Sequence, residues 1–237
     1  RIMGRWRQGR PPRTFTAIVP ARGGSKGIPG KNLWQHGGIT LLERAIRLGL
    51  SAPGVERVIV STDSADMQQI ALQSGAECPA LRPVELATDS ATTAAVVAHV
   101  LDAFNVTSTD LLLLQTTSPL RTRQDLASFL ATYLQSGAPA AASVVRCDEP
   151  RPEKLKKIAD GKLIPYLAHG YEGPRQALPQ PYALNGAFYA IRQDVFRREG
   201  RFLPDGTVPF EMPPERSHNL DSPTDLAILE AMLAAGK

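Results

Sequence analysis

The chain has 237 residues, 43% of them apolar, and a formal charge of +4. That length suffices for one large α/β domain, no apolar run approaches the roughly 18 residues a membrane span needs, and no hydrophobic stretch follows the basic N-terminus as a secretory signal would require. The charge is not distributed as in a nucleic-acid binder, because the five arginines of "RIMGRWRQGRPPR" hold it and residues 14–237 without them are close to neutral.

Residues 1–13 therefore read as a disordered basic tail, and residues 14–237 as the folded domain. In chain order, "FTAIVPA" is an apolar strand, and "TLLERAIRLGL" repeats Leu41, Leu42, Ala45, Ile46 and Gly49 at helical spacing. "RVIVSTD" is a second strand, and "SADMQQIALQSG" a helix stopped by Gly75. "TTAAVVAHVLDAF" places Val96, Val97, Val100, Leu101 and Phe104 on one helical face. "DLLLLQ" is a continuous apolar strand, expected to be buried on both faces. "TRQDLASFLATYLQSG" is a helix with Thr122 and Asp125 spaced as a capping box. "AAASVV" and "NGAFYAI" are further strands. In the closing helix "SPTDLAILEAML", Ser222 is the N-cap, Pro223 the first helical residue and Asp225 the third.

Strands alternating with helices predict a Rossmann-like α/β fold, a mostly parallel twisted sheet with helices on both faces. Ligands of such sheets bind beyond the carboxyl ends of the strands. The stretch 147–182, rich in Pro, Lys and Arg, breaks the alternation and reads as an excursion that meets a second subunit. Cys78 and Cys147 lack C-x-x-C spacing and read as reduced thiols of a cytoplasmic protein. The four histidines form no metal motif.

The loop "ARGGSKGIPGKN" follows the first strand. It is neither a P-loop nor a dinucleotide fingerprint: Ser25 stands where each pattern needs glycine, and Asn32 replaces the P-loop hydroxyl. Its glycines, Gly23 among them, would still let backbone N–H groups approach a phosphate. Arg22, Lys26 and Lys31 would supply positive charge, and Pro29 stiffens the loop. By composition alone an anion-binding loop is the favoured reading, and a solvated loop with some lysines its rival.

Several long motifs occur in one order: "IVPARGGSKGIPGKN", "VSTDS", "GAECPALRPVELATDSATT", "LLLLQTTSPLRT", "PRQALPQPYALNGAFYAI" and "LDSPTDL". In these the chain resembles the acylneuraminate cytidylyltransferases, the CMP-sialic acid synthetases, from about Phe15 to Leu233. The resemblance implies a nucleotide-diphospho-sugar transferase type of fold. It also implies attack by the 2-hydroxyl of an acidic nine-carbon sugar on the α-phosphate of CTP, Mg²⁺ (or Mn²⁺) as cofactor, and a homodimer.

By the same resemblance Arg22, Gly23, Ser25, Lys26, Lys31 and Asn32 hold the nucleotide, with Arg22 and Lys31 neutralising the leaving pyrophosphate. Arg82 and Thr93 match positions that recognise cytosine; otherwise Arg82 would be a surface partner of Glu85. Gln115, Lys154 and Arg175 match sugar-binding positions, and an Arg–carboxylate fork suits an acidic substrate. Asp221 matches a metal-binding aspartate, and helix capping is its alternative. Asn219 stands where the family often has a second aspartate, a weaker metal ligand without charge. Ala183 and Leu184 also depart from the family pattern. Transfer to the eight-carbon acid Kdo, and CTP binding without turnover, are the competing readings.

Overall fold

The apolar runs become buried strands in a computed structural model that describes residues 13–107, 109–167 and 178–235. In chain order the elements begin with β1 (Phe15–Pro20), a small hairpin of β2 (Gln35–His36) and β3 (Ile39–Thr40), α1 (Leu41–Leu50), β4 (Val55–Ser61) and α2 (Ala65–Gln73). Next come α3 (Thr93–Ala103), β5 (Asp110–Leu113), α4 (Arg123–Ser136), β6 (Ala140–Arg146) and a second hairpin of β7 (Lys156–Ala159) and β8 (Lys162–Pro165). The chain closes with β9 (Tyr182–Ile191), α5 (Gln193–Glu199), β10 (Val208–Met212) and α6 (Pro223–Ala234).

Six strands form one sheet in the order β10-β6-β9-β5-β1-β4. β1 lies parallel to β4 and β5, and β10 parallel to β6; β9 runs antiparallel between β5 and β6. The sheet is thus mostly parallel, as the alternation predicts. Side chains of β1 alternate between two cores. Ala17 and Val19 face α1, α2 and α4, whereas Ile18 faces α3 and α5. Both faces being covered explains why the central strands read as unbroken apolar runs.

Local chemistry sets the helix starts. Thr40 with Glu43, Thr122 with Asp125, and Ser222 with Asp225 are complete capping boxes at α1, α4 and α6. A third, smaller core joins α6 to the loop after β1: Leu229 and Leu220 pack with Ile28 and Leu41. It holds the chain just before α6 against that loop.

Besides the two small hairpins, β10 and α5 escape the sequence reading. β10 is a half-exposed edge strand bearing Pro209, which an edge tolerates because a strand there pairs on one side only and can do without the donor that proline lacks. α5 has only seven residues, too few for periodicity to show. The excursion leaves the sheet after β6 and returns into β9, its base closed by the Cys147 N–H donating to the Pro181 carbonyl at 3.0 Å. The N-terminal tail, apart from Arg13, lies outside the described residues.

Candidate active site

The site is built over the carboxyl ends of β1, β4 and β5. Gly30 adopts the left-handed conformation (φ 66°) at the turn into residues 31–33, which a β-carbon would disfavour. Gly27 is required for another reason: a Cβ there would lie 2.1 Å from the Asp221 carbonyl oxygen. The loop and the segment before α6 are therefore in backbone contact. The buried Asn32 ties the loop down, its amide donating to the Arg22 carbonyl (2.9 Å) and its oxygen accepting from the Thr116 hydroxyl (2.6 Å).

Two adjoining cavities of about 250 and 260 Å³ share Pro20, Arg22, Thr116 and Thr117 as their common wall. The first is bordered by Arg82, Thr93 and Gln115. The second is bordered by Ser25, Lys26, Lys31, Asn32 and Asp221. Together they form one cleft with cations along one half.

Arg82 is buried rather than paired on the surface with Glu85. Its Nε donates to the Ser61 hydroxyl at 3.0 Å and its Nη2 to the Ser61 carbonyl. Burial pushes its guanidinium below the ordinary value, against Asp63, which holds it up. A rigid, desolvated donor at the cleft wall suits recognition of a ring with acceptor edges. Residues 16–165 match the family described as Cytidylyltransferase. The chain belongs to the cytidylyltransferase family.

Among its relatives, the N,N'-diacetyllegionaminic acid CMP synthase of Legionella pneumophila is 30% identical over 223 residues, covering 92% of this chain and 95% of that protein. The pseudaminic acid cytidylyltransferase of Campylobacter jejuni is 26% identical, covering 88% and 91%. The N-acylneuraminate cytidylyltransferase of Streptococcus agalactiae serotype V is 28% identical, covering 88% of this chain and half of that protein. Of solved structures, a CMP:2-keto-3-deoxy-manno-octonic acid synthetase complexed with CTP superposes with a TM-score of 0.70, at 19% identity, over 94% of this chain and 100% of that one. A 4-diphosphocytidyl-2C-methyl-D-erythritol synthase does so at 0.65 and 16%, over the same shares. The fold of this cytidylyltransferase is accordingly that of the Rossmann-like nucleotidyltransferases.

In the cytidylyltransferase cleft, Lys31 donates to the Leu220 carbonyl at 2.8 Å and stands 3.9 Å from the Asp221 carboxylate. Burial depresses its ammonium below the ordinary lysine value, partly offset by Asp221. Arg22 and Lys26 both clasp Asp89, Arg22 at 2.6 Å. The Gly23 N–H donates to Asp63 at 2.8 Å, so Gly23 here anchors the loop start instead of presenting a free amide. Ser222 and Asp225 cap α6, which leaves the Asp221 carboxylate, 71% exposed, free of the capping role.

Asn219 does not turn its oxygen toward that carboxylate. Its amide nitrogen donates to Asp221 Oδ2 at 2.7 Å, and its oxygen is buried without a partner. Asn219 thus orients Asp221. Among the described residues no three or more His, Cys, Asp or Glu are grouped so that they could hold a metal ion by themselves. One exposed carboxylate beside a cationic, phosphate-sized cavity still fits Mg²⁺, which commonly takes one or two carboxylates plus phosphate oxygens and water.

Lys154 is not brought into the cleft. It lies on the excursion, 61% exposed and 3.3 Å from Glu149. Arg175 lies outside the described residues. The strand-end rule picks out residues 22–31, 61–63 and 115–121, which include Asp63 and Thr116, but it gives those two no role, and sequence reasoning missed Asp89; the roles of all three come from non-local contacts. Sequence reasoning also read Asn185-Gly186 as plain strand. Here the β6–β9 register shifts, Ser143 Oγ bonds Asn185 Oδ1 (2.6 Å) and the Phe188 N–H (2.8 Å), and Gly186 has φ 72°. The bulge turns Gly186 toward Gln115, whose Oε1 would lie 2.9 Å from a β-carbon. The lone glycine within a strand pattern was the available signal.

Proposed function

We propose that this cytidylyltransferase couples CTP to a nonulosonic acid of the sialic type, giving the CMP-sugar and pyrophosphate. The observation that carries the reading is the continuous cleft, with Arg82 and Thr93 in one half and Lys26, Lys31 and Asp221 in the other. Relatives named for legionaminic, neuraminic and pseudaminic acids support the substrate class.

In this reading Arg82 and Thr93 hold the base. Arg22, Ser25, Lys26 and Lys31 receive the phosphates, and the first two cations must exchange Asp89 for phosphate oxygens as CTP enters. The sugar's 2-hydroxyl oxygen bonds to the α-phosphorus, the bond to the pyrophosphate oxygen breaks, and the hydroxyl proton passes to solvent. Lys31 and Arg22 stabilise the charge collecting on the leaving group. Asp221, held by Asn219, would carry Mg²⁺ or Mn²⁺, which when bound polarises the α-phosphate and acidifies the attacking hydroxyl. Gln115, beside the Gly186 bulge, faces the sugar.

The excursion supports a homodimer. Ile158 and Leu163 are cross-strand partners on the β7–β8 hairpin, 77% and 73% exposed, and Tyr166 adds to the apolar surface. The deciding assay is pyrophosphate release from CTP with a panel of N-acetylneuraminic, N,N'-diacetyllegionaminic and pseudaminic acids and Kdo. Turnover with one of the first three supports the reading. Turnover with Kdo alone, or CTP binding without release, overturns it.

A further inference from the structure

A third cavity, of about 280 Å³, lies between α1 and the start of α4, behind the loop that follows β5. Its wall holds four arginines: Arg44 and Arg47 from α1, and Arg121 and Arg123 from the entry to α4. Among the described residues, not one aspartate or glutamate lines it. Arg47 has a loose partner in Glu43, 3.6 Å away, and Arg44 donates to the His36 carbonyl at 2.7 Å. Thr116 and Ser118 also line the wall, but their hydroxyls already donate to Asn32 and to the Asn185 carbonyl, so the arginines are the donors left to an occupant.

Arg121 is the informative member. Its residue is 8% exposed, yet among the described residues no carboxylate pairs with it. Its Nη1 donates to the Ala187 carbonyl and its guanidinium lies 5.6 Å from the centre of the Phe188 ring. Those contacts engage one nitrogen and one face of a group with five donors. Burial pushes its pKa down to about 9, so it remains charged at neutral pH. A buried cation lacking a counter-ion is costly, and a partner removes that cost only when it arrives as an anion with hydrogen-bond acceptors.

We infer that this cavity is a second anion site, separate from the nucleotide cleft, for a small multivalent oxyanion of the phosphate class gripped by Arg121 with Arg44 and Arg123. Planar guanidinium forks match tetrahedral oxyanions bidentately, and several in one cavity suit more than one negative charge. The occupant could come from free phosphate or from pyrophosphate, and the two are separated by titrating each. The inference stands on this cavity alone and does not depend on the identity of the sugar.

The test is calorimetric titration of the purified chain with inorganic pyrophosphate and, separately, inorganic phosphate at low chloride. The wild type should take up two pyrophosphates per chain. Arg22→Ala/Lys31→Ala should abolish uptake in the nucleotide cleft and spare the other. Arg44→Ala/Arg123→Ala should weaken the second uptake at least tenfold and spare the first. Both arginines of the latter pair lie outside the buried core, so this variant should keep the wild-type circular dichroism. Arg121→Lys, which keeps the charge and loses the fork, is a second route to the same weakening. A single uptake in the wild type, or a second one unchanged in all the arginine variants, overturns the inference. So does a change in molecular mass in Arg44→Ala/Arg123→Ala with unaltered pyrophosphate uptake, since the arginines would then face another chain.

Discussion

Lys31 shows how much one side chain must do in this cleft. Its ammonium is held by the Leu220 carbonyl and lies near Asp221, in a place where burial already opposes its charge. Lys31→Ala should lower kcat by about 10²–10³-fold, the range for losing one preorganised electrostatic contact. The sign of its pH dependence follows. A lysine whose pKa is depressed loses its proton at lower pH than an ordinary one, so kcat/KM for CTP should fall on the alkaline side below pH 10.5. In Lys31→Arg that limb should move upward, because arginine stays protonated. A pH profile with the same alkaline limb in both proteins would remove Lys31 from the assignment. Asp89 gives a counter-test. It occupies the two cations that the proposed reading assigns to the phosphates, so Asp89→Ala should alter KM for CTP while leaving stability little changed. Steady-state kinetics beside a melting curve would separate the two effects.

At the scale of elements, the contact between the phosphate loop and the start of α6 is the most exacting. Gly27→Ala cannot be accommodated without moving Asp221, because the new carbon would meet its carbonyl oxygen. A displacement of about 1 Å at a catalytic group costs on the order of 10²-fold. The expected outcome is a strong fall in kcat with the α/β circular dichroism retained. The start of α4 is tied differently. Arg216 forks onto Asp125 with two bonds of 2.9 Å. Burial raises the Asp125 carboxyl, but the Arg216 and Thr122 hydrogen bonds outweigh it and hold the carboxyl below its ordinary value. This contribution is present above the unfolded pKa near 3.9 and is lost as pH falls through the lower folded value. Arg216→Ala should cost about 1–2 kcal/mol in urea unfolding at pH 7, discounted for the partly exposed arginine, with the difference shrinking in acid. The caps of α4 and α6 were legible because a capping box is written within four residues. The Asn185-Gly186 bulge was not, since its cause is Ser143 on another strand. Arg82 was legible as a site residue only through the family motif; its burial against Ser61 depends on β4 lying alongside.

For the whole molecule, the mostly parallel sheet and its two covered faces followed from alternation of strand and helix, while the strand order and β9's reversed direction did not. Direction is a matter of how the excursion returns, and nothing in the periodicity of 182–191 records it. If the chain forms the proposed homodimer, the exposed Ile158 and Leu163 put its interface on the excursion. Ile158→Glu/Leu163→Glu should convert a dimer into a monomer in light scattering, with the fold intact; an unchanged mass would place any interface elsewhere. The third core and the Thr117–Leu220 backbone bond, 2.9 Å long, make another kind of demand. The core joins the loop after the first strand to residues nearly two hundred positions later, and the bond joins the loop after β5 to the same late segment. As the polypeptide emerges from the ribosome, β1, β4 and β5 become available well before Leu220 and Asp221. If the cleft holds a nucleotide's phosphates as proposed, that competence must wait for the segment before α6, and a stalled nascent chain displaying everything up to β10 should carry a sheet but no working cleft.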